Sequence, residues 1–225
     1  MEDLSDIERE EQLRSWWRDN WAWLVGGIAL GLAALGGWNY WQAQRMRTAE
    51  AAHTQYVEAI EALGRNDAAR ATELAAQLAA SRGRYPYADQ IELALARAAM
   101  DKRDFESAAG HLETVAASTT DAELKRIAQW RLARVRIEQG KPDDALALLA
   151  IDGAGAFAPH FHEVRGDALA AKGDATGARK EYEAALAAVA DGDRETVGLD
   201  RAYVELKRDA LPAAPAATQS PGATQ

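Results

Sequence analysis

The chain contains no cysteine in its 225 residues. That excludes disulfides, thiol nucleophiles, cysteine-ligated metals and lipid attachment to an N-terminal cysteine, while leaving the redox compartment open. Strand signals are almost as scarce. No alternating β-branched runs occur, and no Asn-Gly or Asp-Gly turn joins two of them. Positive charge is also in deficit, with 26 Lys and Arg against 35 Asp and Glu and a net charge of −9. This argues against recognition of DNA, RNA or anionic lipid through a broad basic surface. The sequence has no H-E-x-x-H, phosphate-binding P-loop, G-x-S-x-G or EF-hand pattern. Four histidines remain: His53, His111, His160 and His162. His160-Phe-His162 would chelate a metal only from an extended loop, because a two-residue offset on a helix points the side chains apart. They read as surface or packing residues. No cofactor, metal or catalytic set is expected, and no enzyme.

One further absence is the most informative. Asn20 to Gln44 carries no charged side chain, and its centre reads WAWLVGGIALGLAALGGW from Trp21 to Trp38. As a helix, Trp21 to Trp41 would span about 30 Å, one bilayer hydrocarbon core. Trp16, Trp17, Trp21 and Trp23 crowd one end, and Trp38, Tyr40 and Trp41 the other. These are the aromatic belts of a spanning helix. The nineteen residues before it are acidic and too long for a cleaved leader, so the segment is expected to stay as a signal anchor. Arg9, Arg14 and Arg18 precede it and Arg45 and Arg47 follow, a three-to-two bias that leans toward an N-terminus inside. Gly27 and Gly31 form a G-x-x-x-G, flanked by a second small stripe of Ala29, Ala33 and Gly37. Small residues let helices approach closely in lipid, so this face reads either as a docking face or as the ordinary composition of a spanning helix.

About 180 residues follow the anchor, enough for one ordinary domain or a short repeat array. Ala, Leu, Glu and Arg dominate them, all good helix formers. Neither Gly nor Pro occurs between Trp38 and Leu63, and Ala49, Ala52, Tyr56, Ile60 and Leu63 recur at helical spacing. The membrane helix is therefore expected to run on into the first soluble helix. Ala88, Ile91, Leu95 and Ala98 form a further stripe, as do Leu124, Ile127, Ala128, Leu132 and Val135, and Ala178, Tyr182, Ala185 and Val189. Thr120-Asp-Ala-Glu123 reads as a capping box.

Four short turns join these helices in pairs: GRNDAA from Gly64, RDFESA from Arg103, GKPDDA from Gly140 and GDATGA from Gly173. Each ends on a small Ala five positions on. Their spacings of 39, 37 and 33 bracket the roughly 34-residue period of tetratricopeptide repeats. Gly64, Gly140 and Gly173 read as helix-ending turn makers rather than phosphate cradles, since no strand precedes them. Phe105 and Tyr182 fall where such repeats place packing aromatics. The expected fold is all-α, one transmembrane helix followed by a tetratricopeptide-like α-solenoid of about four helix pairs. The expected layout is a short cytoplasmic N-terminus (1–20), an anchor (21–41), a repeat domain (45–208) and a disordered Ala/Pro-rich tail (209–225). DGDRETVGLD before Arg201 reads as a loop, and Arg201 to Ala210 as a terminal helix covering the last repeat.

Together these features resemble the YfgM-like ancillary SecYEG translocon subunits of bacterial inner membranes. The resemblance rests on the anchor exit GGWNYWQAQ (Gly36 to Gln44), on LKRIAQWRLARVRIEQGKPDDAL (Leu124 to Leu146) and on HEVRGDALAAKGDATGARKEYEAAL (His162 to Leu186). It covers the chain to about Arg208; the Ala/Pro tail and the Trp-rich anchor depart from it. It implies a single-pass protein with a cytoplasmic N-terminus and a periplasmic repeat domain. The implied partners are the SecYEG channel and the membrane-anchored periplasmic chaperone PpiD, and it implies no catalytic residues. The resulting expectation is a non-catalytic interaction protein that presents its array to chaperones or emerging secreted chains. The alternative is a cytoplasm-facing adaptor scaffolding an enzyme or assembly complex.

Two surfaces are candidates for contact. One is the Gly27/Gly31 face. The other is the basic run Lys125, Arg126, Arg131, Arg134 and Arg136, which reads either as a seat for an acidic partner segment or as a solvated helix face interleaved with Glu123 and Glu138.

Overall fold

Good helix formers with few breakers give helices throughout. The structure is a computed structural model describing residues 6–81, 86–190 and 198–212. Among the described residues the helices are α1 (Asp6–Gly64), α2 (Ala68–Ala80), α3 (Tyr87–Asp101), α4 (Phe105–Ser118), α5 (Ala122–Glu138), α6 (Pro142–Leu148), α7 (Ala158–Ala171), α8 (Ala175–Ala190) and α9 (Arg201–Asp209). A single 3-10 turn, Gly155–Phe157, precedes α7, and no strand occurs among the described residues. Most of the DGDRETVGLD loop and of the Ala/Pro-rich tail lies outside the described residues.

The chain divides into two compact units, residues 1–53 and 54–225. In the first, α1 carries a segment long and apolar enough to cross a membrane, and none of that segment is buried. Its large apolar side chains face outward, Trp23 at 83 % and Leu30 at 75 % exposure. A soluble core helix hides such residues, so burial now joins length and composition in separating this segment from one. At its exit end Trp38 and Trp41 lie 5.2 Å apart, and the Arg45 guanidinium sits 4.0 Å over the Trp41 ring.

The second unit is built on one repeated device. Four helices end on a residue in the left-handed region: Asn66 (φ 63°), Arg103 (φ 58°), Gly140 (φ 72°) and Gly173 (φ 82°). At each, the left-handed N–H bonds the carbonyl three residues back, and the next N–H bonds the carbonyl five back. Asn66 donates to Leu63 and Asp67 to Ala62, for example, and Gly173 to Ala170 and Asp174 to Leu169. This paired closure satisfies the carbonyls a helix end leaves free. The residue after the turn then caps the next helix. Asp67, Asp104 and Asp174 accept from backbone N–H groups of Arg70, Ser107 and Gly177, while Lys141 is followed by Pro142, which has no N–H to cap.

Five residues beyond each left-handed position stands Ala71, Ala108, Ala145 or Ala178, and all four are fully buried. A methyl is what fits where the two antiparallel helices cross. This corrects the first turn as read from sequence. Asn66, not Gly64, is its left-handed residue, Ala71 rather than Ala69 is its buried alanine, and the spacings become 37, 37 and 33. The last interval is short because α6 has 7 residues where α4 has 14 and α7 has 14 where α5 has 17, a loss only partly made up by the longer connection from α6 to α7.

Each hairpin packs against its sequence neighbours: α3 on α4, α4 on α5, α5 on α6 and α7, and α7 on α8. Leu93, Leu112, Val115, Leu132 and Val135 form one core, and Leu149, Phe161 and Val164 another. α9 closes the array by inserting Val204 among Ala178, Tyr182, Ala185 and Leu186. The close fit of α7 on α8 depends on Gly166, where a Cβ would fall 2.4 Å from the Tyr182 ring. Two local expectations differ from what forms. Near the end of α1 the buried line is Ala59 and Ala62, with Ile60 exposed, so the alanines rather than the larger side chains take the close contact. At α5 the cap is Asp121, whose carboxylate accepts from Glu123 and Leu124 N–H groups, rather than Thr120 of the capping box. A carboxylate at the position next to the helix outcompetes the hydroxyl one residue earlier.

Candidate functional site

The basic run singled out in the sequence lies on α5, and the 3.6-residue period distributes it around the helix. Lys125 is exposed. Arg126 turns to the α6–α7 connection, its Nε donating to the Gly153 carbonyl at 2.9 Å. Arg136 turns the other way, donating to Gln139 Oε1 at 2.7 Å and pairing with Glu113 of α4. Arg131 and Arg134 remain together, and they meet Arg97 of α3, which sequence reasoning had not singled out.

These three arginines line a groove of about 510 Å³ between α3 and α5 with α4 as its floor. Leu93 and Met100 from α3, Leu112 from α4 and Val135 from α5 supply its apolar lining. Among the described residues, none of the three guanidinium groups lies within ion-pair distance of a carboxylate. Burial, and then the neighbouring Arg97 and Arg134 charges, push Arg131 below the ordinary arginine range. Arg134 also stands 5.7 Å over the Trp130 ring. Arg97 and Arg134 each lie six residues before a left-handed turn residue, Arg103 and Gly140. They are the same position of consecutive repeats, a signal visible only once the register is set by the turns.

The histidines fall into packing roles. His160 is buried with its ring 4.8 Å from Trp130, and His162, on the same helix, points elsewhere to Glu181 Oε2 at 2.7 Å. His111 contacts Glu92 at 2.7 Å. Glu92 and His111 occupy the repeat positions that His162 and Glu181 hold two repeats later, with the residues exchanged between the helices. Beside them, Lys207 of α9 donates to Glu163 Oε1 at 2.9 Å and Asp167 Oδ2 at 2.8 Å, and the Tyr182 hydroxyl donates to Asp167 Oδ1 at 2.7 Å. Gly27 and Gly31 lie in the first unit, and a Cβ at either would meet nothing within 4 Å.

Helical hairpins closed by a repeated left-handed turn, carried on an N-terminal helix of membrane-spanning length, define the class: an anchored tetratricopeptide-like repeat protein. A family model described as a tetratricopeptide repeat-like domain matches residues 14–213. An ancillary SecYEG translocon subunit of Escherichia coli K12 is 34 % identical over 185 residues, covering 81 % of this chain and 87 % of that one. The proteins of the same description from Haemophilus influenzae and Neisseria gonorrhoeae are each 29 % identical. They cover 80 % and 92 % of this chain, and 89 % and 98 % of their own. No solved structure matches significantly. The chain belongs to the family of ancillary SecYEG translocon subunits.

Proposed function

We propose that this chain is a non-catalytic inner-membrane subunit of the Sec translocon. Its single anchor places the N-terminus in the cytoplasm and the repeat array in the periplasm, where the array meets a membrane-anchored chaperone such as PpiD and emerging secreted chains. The observation that carries this reading is the extent of the family match, residues 14–213, which runs through the anchor and the repeats together. Relatives that cover 80 to 92 % of this chain are described as ancillary subunits of the SecYEG translocon. Tethering supports it physically. A fixed anchor raises the local concentration of the array beside its targets, so weak contacts suffice.

The anchor itself is expected to contribute contacts through the uncovered Gly27/Gly31 face, where small residues allow close helix approach in lipid. The full-length chain is therefore expected to copurify with the SecYEG channel, and a version carrying an unrelated spanning helix in place of residues 21–41 to be recovered much less. Equal recovery of both would remove the Gly27/Gly31 face from the account. Recovery of neither would remove the translocon.

A further inference from the structure

We infer that the groove between α3 and α5 is a docking site for an extended protein segment that alternates acidic and apolar side chains, gripped by Arg97, Arg131 and Arg134. The inference rests on the reading above, that the array is a binding module, and names the chemistry of what it binds.

Three guanidinium groups line one groove, and although Glu138 lines it too, none of the three lies within ion-pair distance of a carboxylate among the described residues. Like charges gathered in one groove repel, and Arg131 feels both Arg97 and Arg134. A carboxylate entering the groove relieves that repulsion. Guanidinium groups suit that ligand because their planar fork meets a carboxylate through two parallel hydrogen bonds. The geometry repeats with the fold, since Arg97 and Arg134 hold the same position in consecutive repeats. A ligand crossing these two repeats meets a guanidinium from each, whereas the same position is Ile60 in the first repeat and Asp167 in the last.

Charge alone would suit any anion, and the lining narrows the choice. Leu93, Met100 and Leu112 make the groove apolar between walls that carry the three arginines and Glu138. Met adds an unbranched, adaptable contact that tolerates different apolar partners. From Gln90 to Met100 the α3 wall is about 15 Å long, which accommodates roughly five residues of an extended chain. Successive side chains of such a chain point to opposite sides, so apolar ones reach the floor while acidic ones stay on the solvent side, where the exposed guanidinium groups lie. A nucleic acid would face a protein of net charge −9 with no wider basic surface. Lys125 and Arg126 of the same helix lie outside the groove, so the site is the arginine cluster rather than the basic run as a whole.

The test uses the full-length chain in zwitterionic-lipid nanodiscs and a fluorescent eight-residue peptide of alternating Glu and Leu, with its Gln-for-Glu counterpart as control. The acidic peptide is expected to bind at least tenfold more tightly than the control and to weaken as salt rises. Arg131→Gln with Arg134→Gln is expected to abolish most of that difference, while Lys125→Gln leaves it intact. All three side chains are exposed, and an unchanged helical circular dichroism spectrum verifies the fold. Equal binding of the two peptides, or full acidic-peptide binding by the Arg131→Gln, Arg134→Gln chain, would overturn the inference. Binding only to anionic-lipid vesicles, lost in the same variant, would overturn it in favour of a lipid headgroup. If the peptide fails while copurification with the channel succeeds, the docking site falls and the translocon reading stands.

Discussion

Lys207 reaches from α9 into the α7–α8 hairpin and holds Glu163 and Asp167 at once. Burial by itself would raise the Glu163 pKa, but the neighbouring His160 ring, the hydrogen bond from Lys207 and the Lys207 charge outweigh it and hold the carboxyl at about 2 against an ordinary 4.5. The same two carboxylates overcome burial at Lys207 and raise its pKa, while burial and then Asp167 raise that of the Tyr182 hydroxyl. A folded carboxyl below its unfolded value stabilises the fold above that value and loses the contribution as pH falls through its own. The clasp should therefore act in full above about pH 4.5, weaken toward about pH 2, and at the alkaline end fail as pH rises through the raised lysine value. Lys207→Met leaves two poorly solvated carboxylates unpaired and is expected to lower stability by about 3 kcal/mol. The loss should be smaller at pH 4 than at pH 7, because carboxyls no longer held low by Lys207 take up protons there. Urea titrations of the full-length chain in detergent at pH 7 and pH 4 read both effects, and an unchanged midpoint at pH 7 would refute the clasp. None of this was legible in the sequence, because 44 residues separate Glu163 from Lys207 and no local pattern links them. Arg97 was invisible for the same reason, on another helix from the run it completes.

At the scale of elements, the helix hairpin was legible because its chemistry is local. A turn residue, an Asp cap and a buried alanine sit within six positions, so Arg103 to Ala108 and Gly173 to Ala178 could be read directly. The first hairpin slipped by two residues because Gly64 advertises a turn that Asn66 makes, and Asn tolerates the left-handed region better than most side chains. The shortened α6 gave no such sign, since its ending depends on Leu149 packing beneath Phe161 and Val164. α9 is the element on which the array's end depends. It buries Val204 over Ala178, Tyr182 and Leu186, with Leu211 packed alongside. Terminal repeats need such a cover to shield their apolar face. Deletion of 198–225 should produce aggregation or rapid proteolysis, whereas deletion of 212–225 keeps Leu211 and should leave thermal unfolding unchanged. A monodisperse, protease-resistant 1–197 chain would contradict that.

The whole molecule is an apolar helix followed by a repeat array, and both were legible because each is a pattern rather than a contact. The absence of charge from Asn20 to Gln44 marks the first, and the recurring turns mark the second. The inferred docking groove was legible only in part. Arg131 and Arg134 stood out as charges, but which of five basic residues share a face with α3 depends on how the hairpins stack. Orientation across the membrane is the claim on which the proposed function most depends, since a cytoplasmic array would face neither a periplasmic chaperone nor emerging chains. The chain has no cysteine, and Ser118 is exposed at the end of α4. Ser118→Cys therefore gives a single reporter for a membrane-impermeant maleimide in cells whose outer membrane alone is permeabilised. The account predicts full labelling under those conditions; protection until the inner membrane is opened would place the array in the cytoplasm and contradict it.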